Sequence, residues 1–390
     1  MSIALRGRDN EEEHTLRTST RLVALVGAAS FIFAACGGST ATTAPVTAAP
    51  ATAGPATPEP ATPAPTAEPI AYKACMVSDV GGIDDNSFNE NAWKGMEDAQ
   101  AQLGIEVKFL ESRAATDYEK NINQFVTEKC DMIVTVGFLL GDATKAAAEA
   151  NPGIRFAIVD FAYDPAIPNV EGLVYTTSEA AMLVGYVSAG MSKSGIMGTF
   201  GGINIGGGVT DFMSGFVAGA NYYNKEMGKS VTVLGWDPVK GEGSFTGDFD
   251  SLDNAKALTV PMLQEGADVI LPVGGPIGGG AYTAIQESAA QDYGIGVDVD
   301  WCVSAPQYCD VLLTSVLKKI DVSVTAAVAR AVNGEAAQSL FVSTLANGGV
   351  DIGPYNTFDS AVPQELKDGV DALKAKIISG EVMPADYYAK

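Results

Sequence analysis

From Tyr72 onward the chain alternates short apolar runs with longer segments of helical period. Ala74–Ser78 reads as a buried strand, and Asn91–Gln102 as a helix. Further strands are expected at Glu106–Leu110, Met132–Gly137, Arg155–Asp160 and Gly172–Tyr175, with helices at Tyr118–Glu128 and Gly141–Ala150 between them. The pattern then repeats. Strands are expected at Ile196–Phe200, Thr232–Trp236, Val269–Val273 and Ile295–Val297, and helices at Asp211–Asn224, Ser251–Gln264 and Gly278–Ser288. Parallel strands need a crossover, and a helix supplies it, so this alternation predicts doubly wound parallel sheets. It occurs twice, which predicts two α/β lobes with a cleft between them.

In such sheets ligands bind beyond the carboxyl ends of the strands. The polar and glycine-rich segments fall there. Asp79–Asn89 follows the first strand, and Asp160 closes the fourth. Gly201–Thr210, with five glycines, follows the first strand of the second half; Gly274–Gly280 follows a later one, and Asp298–Asp300 the last. Glycine lets a backbone approach a ligand and exposes N–H donors at helix starts, although a tight strand–helix turn needs it too. Neither run continues into Gly-Lys-Ser/Thr, so a P-loop has no support. Asp84 and Asp85 read as helix-capping and loop-supporting residues.

Charge and composition narrow the chemistry. The net charge is −23, with no basic stripe, which excludes nucleic acid and polyanions as partners. The only histidine is His14, near the N-terminus. The rest of the chain has no imidazole for Ser-His-Asp or Cys-His catalysis, nor for a histidine metal site. Neither metal nor cofactor is expected.

The N-terminus carries an address. Leu22–Ala35 is a small and apolar run behind Arg17 and Arg21, too short to span a bilayer and suited to a signal peptide. It ends Ala34-Ala35-Cys36-Gly37, which resembles the bacterial lipobox, with Phe33 where Leu or Val is usual. The expectation is a leader at 1–35, lipidation of Cys36, and a tether through 70 of Ser, Thr, Ala, Pro and Gly that holds the folded part off the membrane. Four cysteines follow Cys36, in a setting where disulfides persist. Cys302 and Cys309 flank a loop-like segment and are expected to pair; for Cys75 and Cys130 pairing is left open.

Three segments carry a family resemblance: Asp79-Val-Gly-Gly-Ile-Asp-Asp-Asn-Ser-Phe-Asn-Glu90, Asp211-Phe-Met-Ser-Gly-Phe-Val-Ala-Gly219, and Gly296-Val-Asp-Val-Asp300 followed by Leu313-Thr-Ser-Val-Leu-Lys318. In this order they resemble the basic membrane protein family of lipoproteins, which includes purine nucleoside receptors of ABC transporters. The resemblance implies the type I periplasmic binding protein fold, with lobe 1 at 71–177 plus 302–334 and lobe 2 at 178–301 plus 335–390. It implies a nucleoside ligand, an ABC permease as partner, and a membrane-anchored monomer. It implies that Phe88 and Phe212 stack on the two faces of a base, while Phe216 is helix core. Asn89 and Asp160 would bond the base edge, with Asp79 nearby. Asp298 and Lys318 would hold the ribose, aided by the Gly274 backbone. Trp236 would be core or cleft wall.

Other readings stay open. A sugar or autoinducer receptor has the same fold, and aromatic stacking suits sugars as well. An adhesion or signalling lipoprotein that has lost transport is a further one. A nucleoside hydrolase would hold calcium in Asp-x-Asp-x-x-x-Asp-Asp; here Gly81 stands where the second carboxylate belongs.

Overall fold

The computed structural model describes residues 70–288 and 290–389. The expected leader, Cys36 and the tether up to 69 lie outside the described residues. The first half supplies β1 (Lys73–Val77), β2 (Glu106–Leu110), β3 (Met132–Val136), β4 (Arg155–Val159) and β5 (Val170–Tyr175). The second supplies β6 (Ile196–Gly201), β7 (Thr232–Leu234), a ribbon of β8 (Trp236–Asp237) and β9 (Glu242–Gly243), β10 (Val269–Val273), β11 (Tyr293–Asp298) and β12 (Leu312–Lys318). Two late strands follow, β13 (Leu340–Ser343) and β14 (Val350–Ile352). One sheet runs β13-β5-β4-β3-β1-β2 and the other β14-β12-β11-β10-β6-β7. Within these two sheets all neighbours are parallel except β12 and β14. These are the two doubly wound lobes expected.

The connecting helices are α1 (Phe88–Leu103), α2 (Tyr118–Thr127), α3 (Gly141–Ala150), α4 (Thr177–Met191), α5 (Gly207–Met227), α6 (Leu252–Gln264), α7 (Gly278–Glu287), a one-turn α8 (Trp301–Ser304), α9 (Ile320–Val332) and α10 (Gln364–Ser379). They cover both faces of each sheet, so the central strands are apolar at nearly every position. Along β1, Ala74 and Met76 join a core with Ala92 and Met96 of α1, while Cys75 and Val77 join another with Ile122 and Phe125 of α2. Helices α4 and α5 press backbone to backbone. A Cβ on Gly185 would lie 2.2 Å from the Phe216 carbonyl oxygen, and one on Gly219 would lie 2.2 Å from that of Met182. This contact fixes α5, the helix that carries Phe212.

The expected lobe boundaries need correction. The resemblance places residues 302–334 in lobe 1, but β12 pairs with β11 and extends the second sheet. Only α9 returns to the first lobe, where a Cβ on Gly95 of α1 would lie 2.6 Å from the Asp321 carbonyl oxygen. Likewise 335–390 is divided, because β13 pairs with β5 in the first sheet whereas β14 pairs with β12. The physical reason is that β12 is buried on both faces. Such a strand takes the open sheet edge nearest it, and its own sequence does not say which sheet that is. The chain thus changes sheet after β5, β12 and β13. Hydrogen bonds tie these crossings together: Thr176 N–H donates to the Ser343 carbonyl at 2.9 Å, and Lys319 N–H to that of Gly349 at 2.9 Å.

Both disulfides form. Cys302–Cys309 clasps the turn after α8, as expected, with Cα atoms 4.7 Å apart. Cys75–Cys130 ties β1 to the turn before β3, with Cα atoms 6.1 Å apart. Among the described residues no helix is long and apolar enough to cross a membrane.

Candidate functional site

The carboxyl ends of strands from both sheets converge on one partly open cavity. Asp79, Phe88, Asn89, Asp160, Phe212, Gly274, Asp298 and Lys318 all line it, so every ligand-contacting residue expected from the sequence meets in one cavity.

The first-lobe side is built by hydrogen bonds. Asp85 accepts from the backbone N–H groups of Ser87, Asn89 and Glu90 at 2.9, 2.9 and 3.1 Å, thereby capping α1. This fixes Phe88, the first residue of α1, at the cavity wall. The Asn89 amide donates to Asp79 at 2.7 Å and to Asp85 at 3.1 Å. Its oxygen accepts from the Asp79 backbone N–H at 3.3 Å. Asn89 therefore lines the cavity with its amide already committed to two carboxylates. A side-chain amide, not a cation, bridges the Asp79–Asp85 pair. Among the described residues no carboxylate, cysteine or histidine cluster is arranged to hold a metal.

Lys318 is the buried cation, 1% exposed at the end of β12. Its Nζ lies 2.5 Å from Asp160 and 4.0 Å from Asp298. The resemblance groups Lys318 with Asp298; in the structure Asp160 is the nearer partner. Nζ also sits 4.9 Å from the ring centre of Phe88, 4.9 Å from that of Tyr175 and 5.6 Å from that of Phe212. The Ser87 hydroxyl donates to Asp298 at 2.9 Å, joining the two lobes. Asp160 stands just past β4 and Asp298 is the last residue of β11, both with left-handed backbone, φ 62° and 67°. Few non-glycine residues adopt that conformation, and aspartate is among those that tolerate it.

Burial dominates the electrostatics. It pushes the Asp79 carboxyl up to about 6 despite its bond from Asn89, and that of Asp85 up to about 7 despite three backbone donors. Burial also raises Asp160 and Asp298, against the pull of Lys318. Four carboxyl groups thus share one cavity with a single ammonium. Such a site accepts hydrogen bonds, rewards a ligand rich in donors, and repels phosphate or carboxylate.

Sequence reasoning missed two walls. Phe249 lies over Gly274, whose added Cβ would come within 3.1 Å of the ring, and Phe138 borders the cavity from the turn after β3. Neither has a period to mark it; at Phe249 the available signal was an isolated phenylalanine between Asp248 and Asp250, whereas Phe138, beside Leu139 and Leu140, offered none. Trp236 is core: its Nε1 donates to Ser214 Oγ at 2.9 Å. Phe216 is wholly buried, as expected of helix core.

The geometry agrees with what the chain is similar to. The ABC transporter nucleoside-binding protein BmpA of Lactococcus lactis is 29% identical over 80% of this chain and 88% of its own length. Basic membrane protein A of Borreliella burgdorferi is 31% identical over 78% of this chain and 85% of its own. An ABC transporter solute-binding protein of Aeropyrum pernix superposes with a TM-score of 0.70 at 26% identity, covering 80% of this chain and 92% of that one. A family model, described as ABC transporter substrate-binding protein PnrA-like, matches residues 72–386. The chain belongs to the Bmp family of PnrA-like ABC transporter substrate-binding proteins.

Proposed function

We propose that the protein is a receptor for nucleosides, purine nucleosides foremost, and passes them to an ABC permease. It works on the outer face of the cytoplasmic membrane, anchored by lipid on Cys36. The observation that carries this reading is the pairing of Phe88 and Phe212 with acceptor-only carboxylates and one lysine in one cavity. Aromatic walls suit a planar base, and each stack adds about 0.5–1.5 kcal/mol beyond burial. Asp298 and Lys318 suit vicinal hydroxyls, which donate to the carboxylate and accept from the ammonium. The surplus of carboxyl groups disfavours a phosphorylated ligand. The name of the L. lactis relative supports the nucleoside class, and the resemblance to purine receptors supports the purine preference. The protein performs no reaction on its ligand in this reading: Gly81 stands where a hydrolase would need its second calcium-holding carboxylate, and the Asn89 amide bonds both Asp79 and Asp85.

Native mass spectrometry of the purified protein is expected to show a co-purified species of nucleoside mass. Calorimetry is expected to give tight binding of inosine, guanosine or adenosine, and none of their monophosphates. Phe88→Ala and Asp298→Asn each weaken binding at least about a hundredfold while leaving the thermal midpoint near that of the parent. Asparagine is chosen at 298 because it tolerates the left-handed backbone. A retained hexose, or two variants that bind inosine normally, would overturn the assignment.

A further inference from the structure

The space does not end at the Asp160–Lys318 pair. A second, partly open chamber adjoins it, sharing Asp160, Lys318 and Phe138 with the main cavity and adding Tyr175, Thr177 and Asp211. Asp211 stands in the second turn of α5, one residue before Phe212. Among the described residues its carboxylate has no hydrogen bond or ion pair, and burial beside Asp160 pushes it up to about 6. Glycine at 207 leaves it room, since a Cβ there would lie 3.2 Å from the Asp211 carboxylate. The Thr177 hydroxyl in the chamber wall is buried and, among the described residues, without a hydrogen-bond partner. A buried hydroxyl left unsatisfied costs free energy and calls for a partner, and the half-buried Asp211 carboxylate beside it is free to accept.

We propose that this chamber is a second subsite, taking a donor-bearing arm, an amine or hydroxyl carried on the base edge of a modified nucleoside, with Asp211 as its acceptor. The inference rests on the nucleoside reading, in which the base edge lies against Asp160. A substituent on that edge that runs past Asp160 enters the chamber. There it meets an acceptor-only carboxylate and the phenyl wall of Phe138, which fits a short alkyl chain ending in a donor.

Calorimetry with three ligands tests this: adenosine, and adenosines bearing an ethyl or an aminoethyl arm on the exocyclic amine. In the parent protein the aminoethyl compound is expected to bind about tenfold more tightly than the ethyl compound. In Asp211→Asn that ratio falls to about one. Because the ratio is internal to each protein, a general loss of affinity cancels. Equal affinity for the two arms in the parent, or a preference that survives D211N, would sink the subsite. So would adenosine binding well while both extended compounds are rejected. A protein that binds none of the three overturns the nucleoside reading itself, and this extension with it.

Discussion

Strand for strand the two sheets share one plan, and β1, β3 and β4 of the first hold the places of β6, β10 and β11 in the second. The likeness reaches the loops. Gly137 after β3 and Gly274 after β10 are each followed by a short 3₁₀ turn leading into α3 and α7. Asp160 just past β4 and Asp298 at the end of β11 are the same residue type in the same left-handed conformation. The difference lies at the first and fifth strands. After β1 comes a loop whose carboxylates are fixed by their own backbone and by Asn89; after β6 comes a run of glycines, with Phe212 set back inside α5. The fifth strand ends in Tyr175 in one sheet and Lys318 in the other. A common backbone plan thus serves a division of labour. The first lobe is a preorganised acceptor surface, and the second supplies space and the cation.

If the first lobe is the more rigidly built, its cross-link matters more. Replacing Cys75 and Cys130 by alanine is expected to cost about 4 kcal/mol, against about 2 kcal/mol for Cys302 and Cys309. The first pair closes a loop of 55 residues and the second one of 7. Urea titrations of the two double variants check this; equal losses would break the comparison. Next is the cation. Lys318→Met leaves buried carboxylates without their counter-charge and is expected to destabilise by about 3 kcal/mol at pH 8, and by less as pH falls, because protonation relieves the unpaired charge. A variant as stable as the parent at pH 8 would remove Lys318 from its central place.

The acceptor lobe also has a pH signature. Asp79 and Asp85 are raised to about 6 and about 7, so protonation favours the folded state. That contribution is full below the unfolded value, near 4, and is lost as pH rises through the folded values, so stability is expected to fall between pH 4 and pH 8. Asp85→Asn flattens the upper part of the curve. A parent whose stability rises across this window contradicts the ordering of that loop. The smallest effect sharpens the second lobe's role as a wall: Phe249→Ala is expected to weaken nucleoside binding about tenfold without changing stability, as read by calorimetry and thermal melting.

Much of this plan was legible because buried parallel strands are short apolar runs that end where Asp or Gly begins. That marker located Asp79, Asp160, Gly274 and Asp298. It failed for α4, which is buried almost all round, so that its apolar positions show no helical face. It failed again beyond Asp298. The strand at Leu312–Lys318 is apolar enough to suit either sheet, and the crossings at Thr176 and Lys319 have no side-chain signature, being fixed by backbone hydrogen bonds from distant segments. Phe138 and Phe249 escaped for a related reason: a loop aromatic becomes a wall only when the fold brings it round. Asn89 was found for its position, but its commitment to two aspartates needed coordinates.

Asp160 belongs to the first sheet and Lys318 to the second, immediately before a crossing. Parting the lobes would therefore separate unlike charges that are largely shielded from water. A donor that settles on Asp160 would compete for the carboxylate that ties the two sheets together, even as it fills the site.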